Sequence, residues 1–318
     1  MTTPGSDRQL AVSGIMPLYN KRHTVLEAIE SMLAQTTLPD EIVIVDDGST
    51  DGSGDLVEER YAKHPLVRLV RQANRGVSAA RNAAIRLSTC PLLAFLDADD
   101  KWLPQRIERQ AAIMAAKPDC MIVLAAAILC DERLGRTWIE GDCATRETYL
   151  AEFFREERLP VCSGVMVRRA ALEQVGEFDE SLCMGEDHDL WLRIMLKFGF
   201  EHLREPVVWY RCCRPQTLES VKRDFRGNDL YFAKHRNTFG RGFRGQVIWR
   251  AAYATVLRRH ANWCFQNGYG REGLVRLIKA VWTWPFFNPA TVMKRGLECL
   301  LGPQKYDAAV RMLWRRKT

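Results

Sequence analysis

Short apolar runs alternate with helical patterns over the first two hundred residues of the chain. Four of the runs predict strands, at 11–16, 41–46, 66–70 and 91–96. The segments between them predict helices, and in the first of these Val25, Ile29 and Met32 recur at helical spacing and form one apolar stripe. Strands that alternate with helices favour an α/β fold, in which helices flank a mostly parallel sheet.

The pattern changes in the last third of the chain. A proline-started helix at 104–117 and an apolar strand at 121–130 still fit the α/β reading. From residue 216 onward, long helical stretches rich in Arg, Trp and Leu take over. We therefore predict an α/β domain at 1–215 and a helical, basic C-terminal region at 216–318.

Charge is distributed unevenly between these two parts. Residues 1–218 carry 26 Lys and Arg against 33 Asp and Glu, whereas residues 219–318 carry 20 against 6. Such asymmetry indicates an anionic partner for the C-terminal part, either a membrane surface or a lipid-linked substrate. Nucleic acid is disfavoured as a partner, because no recognised reader motif accompanies the charge.

Two interpretations of the basic region carry equal weight. Its tryptophans and arginines suit an amphipathic helix at a membrane interface, or a bundle with Trp inside and Arg in water. The N-terminus lacks the basic start and apolar stretch of a signal peptide, and no run reaches the roughly 20 apolar residues of a spanning helix. We therefore expect a cytoplasmic protein. If the basic region is an amphipathic helix at a membrane interface, the protein would also make peripheral contact with the inner face of the cell membrane.

Two acidic motifs follow predicted strands. VDDGSTDGS at 45–53 joins carboxylates to a glycine turn, and ligands bind at the carboxyl ends of strands in open α/β sheets. An aspartate there can accept hydrogen bonds from a base or a ribose. A turn followed by a Ser53 N-cap explains the same residues equally well.

The second acidic motif, FLDADD at 95–100, places three carboxylates within four residues. If the chain leaves the strand in extended form, Asp97 and Asp99 point to the same side. Each like-charge contact costs about 4 kcal/mol at 4 Å and an effective dielectric near 20, so a cation should lie among them. A hard divalent ion, Mg²⁺ or Mn²⁺, meets this requirement. The alternative is a solvated acidic turn before the next helix.

Two further motifs open predicted helices. GEDHDLWLR at 185–193 puts Asp187 at the open end of a face made apolar by Trp191 and Ile194. In the alternative interpretation, its acids only stabilise the N-terminus of the helix through the helix dipole, by about 0.3–1 kcal/mol each. NRGVSAARN at 74–82 contains a helix start led by Gly76. It carries two arginines, which suit phosphate or base oxygens.

Other nucleotide chemistries lack their motifs. The segment after the first strand reads MPLYNKR. It contains neither the G-x-G-x-x-G of a nicotinamide enzyme nor the G-x-x-x-x-G-K-[ST] of a phosphate-loop NTPase. It also lacks the Gly-rich, Arg-containing loop of a sugar-phosphate nucleotidyltransferase.

Taken in order, PLYN (17–20), VDDGSTDGS, NRGVSAARN, FLDADDKWLP and EDHDLWLR resemble the signature series of the family 2 glycosyltransferases. The resemblance covers about residues 10–212. It implies the GT-A (Rossmann-like) fold and an inverting transfer of sugar from a nucleotide-sugar, usually a UDP-sugar, to an acceptor hydroxyl. The acceptor would be a saccharide or a lipid-linked molecule in surface polysaccharide or glycolipid assembly, and the cofactor Mn²⁺ or Mg²⁺.

The resemblance also assigns roles to residues. Asp187 would be the catalytic base and Asp99 the metal ligand. The donor nucleotide would be bound by Pro17, Tyr19, Asp47, Arg81 and Asp97. Glu186, His188 and Trp191 would lie on the acceptor side, and CSGVMV at 162–167 resembles the strand that borders it.

One departure from the family concerns the end of the last core strand. Many relatives have Tyr-Arg-x-His there, and this chain has Cys213 at the histidine position. Metal affinity or leaving-group stabilisation would differ as a result. The departure leaves open a non-catalytic nucleotide-sugar-binding or scaffolding protein, although Asp97, Asp99 and Asp187 argue for an enzyme. The sugar, the linkage and the oligomeric state are not encoded in any recognisable motif.

Overall fold

The structure, a computed structural model, describes residues 10–131, 137–140, 160–211, 217–238 and 240–284 together with residue 153. These residues form two compact units. Apart from residue 153, the described residues up to Val221 lie in the first unit and those from Lys222 lie in the second. The boundary predicted after residue 215 falls within residues 212–216, outside the described part, and stays a prediction.

The first seven elements alternate between strand and helix. They are β1 (Val12–Leu18), α1 (Val25–Leu33), β2 (Glu41–Asp46), α2 (Ser53–Tyr61), β3 (Val67–Arg71), α3 (Val77–Leu87) and β4 (Leu92–Phe95). The elements predicted from the hydrophobic pattern are confirmed, with small differences at their ends. Val25, Ile29 and Met32 are buried, so the apolar stripe is the face of α1 that packs inward.

The second half of the first unit is less regular. Its elements are β5 (Lys101–Trp102), α4 (Arg106–Ala116), β6 (Cys120–Cys130), β7 (Thr137–Glu140), a 3₁₀ turn (Cys162–Gly164), β8 (Met166–Arg168), α5 (Arg169–Val175), α6 (Glu186–Lys197) and β9 (Gly199–Arg211). Helix α6 begins at Glu186, within the GEDHDLWLR motif.

All nine described strands belong to one sheet. Eight follow the order β3-β2-β1-β4-β8-β6-β9-β5, and β7 pairs with β6. Strands β1 to β4 are parallel, as is the pair β6 and β9. The other pairs are antiparallel. The α/β class is therefore confirmed, with parallel pairing concentrated in the first four strands.

The core brings helices and sheet into close contact. Apolar side chains of α1, α2 and α4, such as Met32, Val57 and Met114, join those of β1, β2, β4 and β6 in one buried cluster. At Gly14 in β1, an added Cβ would lie 2.2 Å from the Cε of Met32. Glycine at this position leaves room for the end of the flexible Met32 side chain, which reaches from α1 to β1.

The second unit is helical, as predicted for the C-terminal region. Most of α7 (Leu218–Lys234) belongs to it, followed by α8 (Phe243–Gln266) and α9 (Gly270–Thr283). Asp229 accepts hydrogen bonds from the Tyr253 hydroxyl at 2.6 Å and from Arg276 and Lys279 at 2.9–3.1 Å. Burial alone would raise the pKa of Asp229, but these partners lower it, and the pKa lies below its usual value. One carboxylate thus joins all three helices.

Candidate functional site

Three parallel strands end together at one edge of the sheet. The order β2-β1-β4 places Asp46 and Asp47 at the end of β2 on one side of β1, and Asp97 after β4 on the other. The segment after β1, with Tyr19 and Lys21, lies between them in the sheet order. The two acidic strand ends therefore lie at the same edge of the sheet, because parallel strands share one carboxyl edge.

The first acidic motif shapes a loop. Asp47 is buried, and its Oδ1 accepts hydrogen bonds from Gln72 Nε2 at 2.7 Å and from the Arg75 backbone N–H at 2.9 Å. Its Oδ2 accepts the Gly76 backbone N–H at 2.8 Å. Asp47 therefore holds the loop that opens α3. The contact of Asp47 with a base stays a prediction.

The segment that follows β1 exposes one predicted nucleotide-binding residue and buries the other. Pro17 lies buried within β1, whereas Tyr19, one residue past the strand, is 47% exposed. Asn20 adopts a left-handed conformation with φ of 51°, and its Oδ1 accepts the Thr50 backbone N–H at 2.8 Å. This bond ties the PLYN segment to the VDDGSTDGS loop.

The second acidic motif forms a turn, which corrects the extended conformation assumed from the sequence. The Asp100 N–H donates to the Asp97 carbonyl at 3.0 Å, so the alternation of side chains does not apply. Asp97 pairs with Arg81 at 2.7 Å, and Asp99 pairs with Lys21 at 2.5 Å. The expectation of cations among these carboxylates is met by two protein side chains.

Asp100 points into the protein. Its Oδ2 accepts the Ser163 hydroxyl and its Oδ1 accepts the Arg211 backbone N–H at 3.0 Å. Burial, followed by the charges of Asp97 and Asp99, raises its pKa well above the usual value. The Ser163 hydroxyl also accepts the Asp97 N–H at 3.0 Å. Asp100 and Ser163 therefore fix the turn from beneath, and the sequence signal for Asp100 was only its place as the third acid of FLDADD.

The EDHD segment begins α6. Gly185 precedes it with φ of 75°, a conformation that favours glycine. Asp187 Oδ1 accepts the His188 N–H at 2.8 Å, and His188 Nε2 lies 3.7 Å from the same oxygen. Burial, followed by the charge of Asp187, raises the pKa of Glu186, although its partner Arg81 lowers it.

Arg81 connects the FLDADD turn to the EDHD segment. Its two terminal nitrogens contact Asp97 Oδ1 and Glu186 Oε1, each at 2.7 Å. The side chain lies 5.3 Å from the Phe178 ring centre and is almost fully buried. Burial would lower the pKa of Arg81, but Asp97 and the other nearby acids hold it well above the usual value. Arg81 thus contacts a residue 105 positions away in the sequence, Glu186.

Trp191 does not lie where the sequence placed it. We expected it on the acceptor side, but it is 0% exposed and packs 5.4 Å from Phe95 and 5.7 Å from Phe178, measured between ring centres. The apolar face of α6 must be covered by the protein itself, which explains the difference. Glu186 and His188 keep their acceptor-side assignment as a prediction.

Tyr210 and Arg211 at the end of β9 complete the site. Burial, followed by Asp100, Asp97, Asp187 and Asp99, raises the pKa of Tyr210. Carboxylates of both FLDADD and the EDHD segment therefore act electrostatically on the phenol. Arg211 donates to the Asp99 carbonyl at 2.6 Å and pairs with Glu27. Cys213, the predicted departure from the family, lies outside the described residues.

A second buried arginine supports the strand that carries FLDADD. Arg106 donates to the carbonyls of Phe95 at 2.9 Å and Val165 at 2.8 Å, and it stacks 4.1 Å from the Trp102 ring centre. Burial lowers its pKa to about 9. Sequence reasoning missed this residue, and the available signal was an arginine beside the apolar positions of α4.

Comparison with known proteins adds family and fold. The sequence model of Glycosyl transferase family 2 matches residues 13–176. Chondroitin synthase of Escherichia coli is 30% identical over 217 residues, which are 67% of this chain and 30% of that protein. The amylovoran biosynthesis glycosyltransferase AmsE of Erwinia amylovora is 33% identical over 190 residues, 58% of this chain and 69% of that protein.

The structural comparison concerns the fold. S. aureus TarS 1–349 in complex with UDP-GlcNAc superposes with a TM-score of 0.61 at 18% identity, covering 94% of this chain and 83% of that one. The architecture is therefore that of the GT-A glycosyltransferases. The chain belongs to glycosyl transferase family 2. The chain spans less than half the length of several curated relatives, the chondroitin synthase included.

The donor set at Asp99 suits a divalent ion that arrives with phosphate. Among the described residues, no three His, Cys, Asp or Glu side chains come together to hold a metal. Mg²⁺ and similar ions are commonly held by one or two carboxylates together with substrate phosphates and water. A partly exposed Asp99 at the edge of the sheet fits that mode.

Proposed function

We propose that the chain is an inverting glycosyltransferase that moves a sugar from a nucleotide-sugar, a UDP-sugar in the first instance, to an acceptor hydroxyl. Saccharide or lipid-linked acceptors of surface polysaccharide or glycolipid assembly are the proposed class. The observation that carries the proposal is the Arg81 bridge. It joins the Asp97 turn to the Glu186–Asp187 helix start, so leaving-group and base residues border one site.

The donor end would use the loops after β1, β2 and β4. Tyr19 offers an exposed ring for a base, and Asp47 holds the backbone against which the base would lie. Asp97 would approach the ribose and phosphates while Arg81 neutralises it. Pro17 shapes the end of β1 beneath these groups.

The leaving group carries the negative charge that develops during transfer. Asp99 would hold the divalent ion, Mn²⁺ or Mg²⁺, which when bound supplies Lewis-acid stabilisation of the diphosphate. Arg81 pairs with Asp97 and would hold its carboxylate in place beside Asp99. Tyr210 remains protonated near neutral pH, because burial and the surrounding carboxylates raise its pKa.

The acceptor hydroxyl must lose its proton as it attacks the anomeric carbon. Asp187 would accept that proton at a carboxylate oxygen. The His188 N–H bond to Oδ1 orients this carboxylate, and buried Glu186 anchors the same helix start to Arg81. A single displacement from the face opposite the nucleotide inverts the anomeric configuration.

Nucleotide binding tests the donor assignment. We expect calorimetry to detect binding of UDP in preference to GDP and dTDP in the presence of Mn²⁺, and about tenfold weaker binding of that nucleotide to Asp99→Asn. The physical reason is that the variant loses the only negative charge assigned to the ion. Asp119→Asn, an exposed acid outside the site, serves as the control and should bind like wild type.

The same titration separates the alternatives. Absence of binding for every nucleotide, with and without Mn²⁺, would contradict the enzyme assignment. Binding without transfer or hydrolysis of a bound donor, across a panel of saccharide and lipid-linked acceptors, would favour the non-catalytic binding protein.

Peripheral membrane contact is the second part of the proposal, and α9 supports it. Leu274, Val275, Ile278 and Trp282 lie along one side of this helix and are exposed, with Trp282 at 84%. Arg271 and Lys279 flank them and are exposed as well. An apolar stripe with cationic borders suits an anionic lipid surface. No helix in the described part of the chain is long and apolar enough to span a bilayer.

Liposome sedimentation tests this contact. We expect the full chain to sediment with anionic vesicles at low salt and much less at high salt, because Lys and Arg near the surface contribute about 1 kcal/mol each. Ile278→Ser with Trp282→Ser should lower the bound fraction severalfold. Leu38→Ser, an equally exposed apolar residue of the first unit, should not. Equal binding by both variants would contradict the assignment to α9.

A further inference from the structure

The sequence motifs assigned no role to Lys21. It is the first residue after PLYN, and its Nζ lies 2.5 Å from Asp99 Oδ2. Asp99 is the carboxylate proposed to bind the metal ion. A cation of the protein therefore already neutralises the metal ligand before any donor arrives.

The backbone around Lys21 is held firmly. Its N–H donates to Ser53 Oγ at 2.8 Å, and its carbonyl accepts the N–H groups of Thr24 and Val25 at 3.0 and 2.9 Å. The Thr24 hydroxyl donates to the Ala98 carbonyl at 2.8 Å and so ties this loop to the FLDADD turn. The side chain of Lys21 can therefore leave Asp99 without disturbing the loop that carries it.

An ammonium and a divalent ion compete for this carboxylate. Two cations in contact with one oxygen repel each other, and the described residues offer no further cluster of acids to hold an ion alone. A metal ion that arrives with a diphosphate brings additional oxygen ligands and offers anionic oxygens to the displaced ammonium. A metal ion without nucleotide has neither advantage.

We propose that Lys21 is a displaceable counterion of Asp99: it neutralises the carboxylate in the donor-free protein, yields to the metal–diphosphate complex, and then pairs with the diphosphate. This inference rests on the proposed function and assigns a positioning residue to it. As a consequence, metal and nucleotide bind together. The ammonium lowers the affinity for the metal ion alone and raises the affinity for the diphosphate.

One variant should change two affinities in opposite directions. Lys21→Met keeps the length of the side chain and removes its charge. We expect the affinity for Mn²⁺ without nucleotide to rise about threefold, the size of a partly exposed ion pair. We expect the affinity for UDP in saturating Mn²⁺ to fall about tenfold, because a charge-assisted bond to phosphate is lost.

The measurements need no turnover. Electron paramagnetic resonance gives free Mn²⁺ in titrations of the full chain without nucleotide, and calorimetry gives UDP affinity with Mn²⁺. Lys101→Met is the matched control, since Lys101 pairs with Glu27 at 3.2 Å beside the same turn and is 39% exposed against 29% for Lys21. It should shift neither affinity by more than about twofold.

The outcomes are distinct. Opposite shifts in Lys21→Met, with Lys101→Met close to wild type, support the inference. Shifts in the same direction, an unchanged Mn²⁺ affinity, or equal shifts in both variants overturn it, while wild-type UDP binding keeps the proposed function. Wild-type protein that binds no UDP with Mn²⁺ overturns both.

Discussion

Asp187→Asn is expected to lower kcat by about 10²–10⁴-fold, the usual contribution of a positioned general base. The amide keeps the shape of the carboxylate and can still accept the His188 N–H. It cannot accept the proton of the acceptor hydroxyl. Donor affinity should stay within about threefold of wild type, because Asp187 is assigned to no contact with the nucleotide.

Steady-state kinetics measure the effect on kcat, with the donor identified by calorimetry. Binding of UDP to the variant measures the effect on donor affinity. Glu173→Gln removes an exposed acid on α5 and should behave like wild type. Unchanged turnover in Asp187→Asn would exclude this residue as the base. A parallel loss of donor affinity and turnover would assign Asp187 to binding.

Arg81→Met should destabilise the first unit by about 3 kcal/mol or more. Loss of Arg81 leaves Asp97 and Glu186 without their shared counter-charge, and breaking a buried pair typically costs about 3–5 kcal/mol. Asp97 is partly exposed, so solvent reduces its share of the cost. Burial and Asp187 already raise the pKa of Glu186, and the variant should raise it further.

Urea unfolding of wild type, Arg81→Met, Glu186→Gln and the double variant measures the coupling directly. We expect Glu186→Gln to recover part of the loss in the Arg81→Met background, since it removes one unpaired carboxylate. Arg75→Met is the control, because Arg75 meets Glu180 at 3.0 Å with 62% of its side chain exposed and should cost less than about 1 kcal/mol. Equal costs for the two arginines would show that the bridge is not a buried pair.

The local periodicity of the sequence predicted most elements that form the site. The four apolar runs became β1 to β4, and the stripe of α1 became its buried face. The carboxyl-edge position of VDDGSTDGS and FLDADD followed from the same alternation, since parallel strands must be joined by helices. Neighbouring residues carry this information, so one sequence suffices to reveal it.

The partners of the acidic residues could not be predicted in this way. Arg81 looked like a nucleotide contact, yet its guanidinium pairs with Asp97 and with Glu186, which lies 105 positions from Arg81 in the sequence. Asp100 meets Arg211 across 111 positions. The family resemblance assigned Trp191 to the acceptor side, and its side chain is buried against Phe95. Each of these contacts depends on how crossover connections return distant segments to one edge.

The sequence by itself determined the α/β pattern, the family resemblance and the identity of the acids that border the site. Only the tertiary structure decided which cation neutralises each acid: Arg81 at Asp97 and Glu186, Lys21 at Asp99, and neither at Asp100, whose pKa burial raises. The physical reason is that side-chain periodicity is a local property. Ion pairing and desolvation depend instead on distances that the folded sheet sets between residues far apart in the chain.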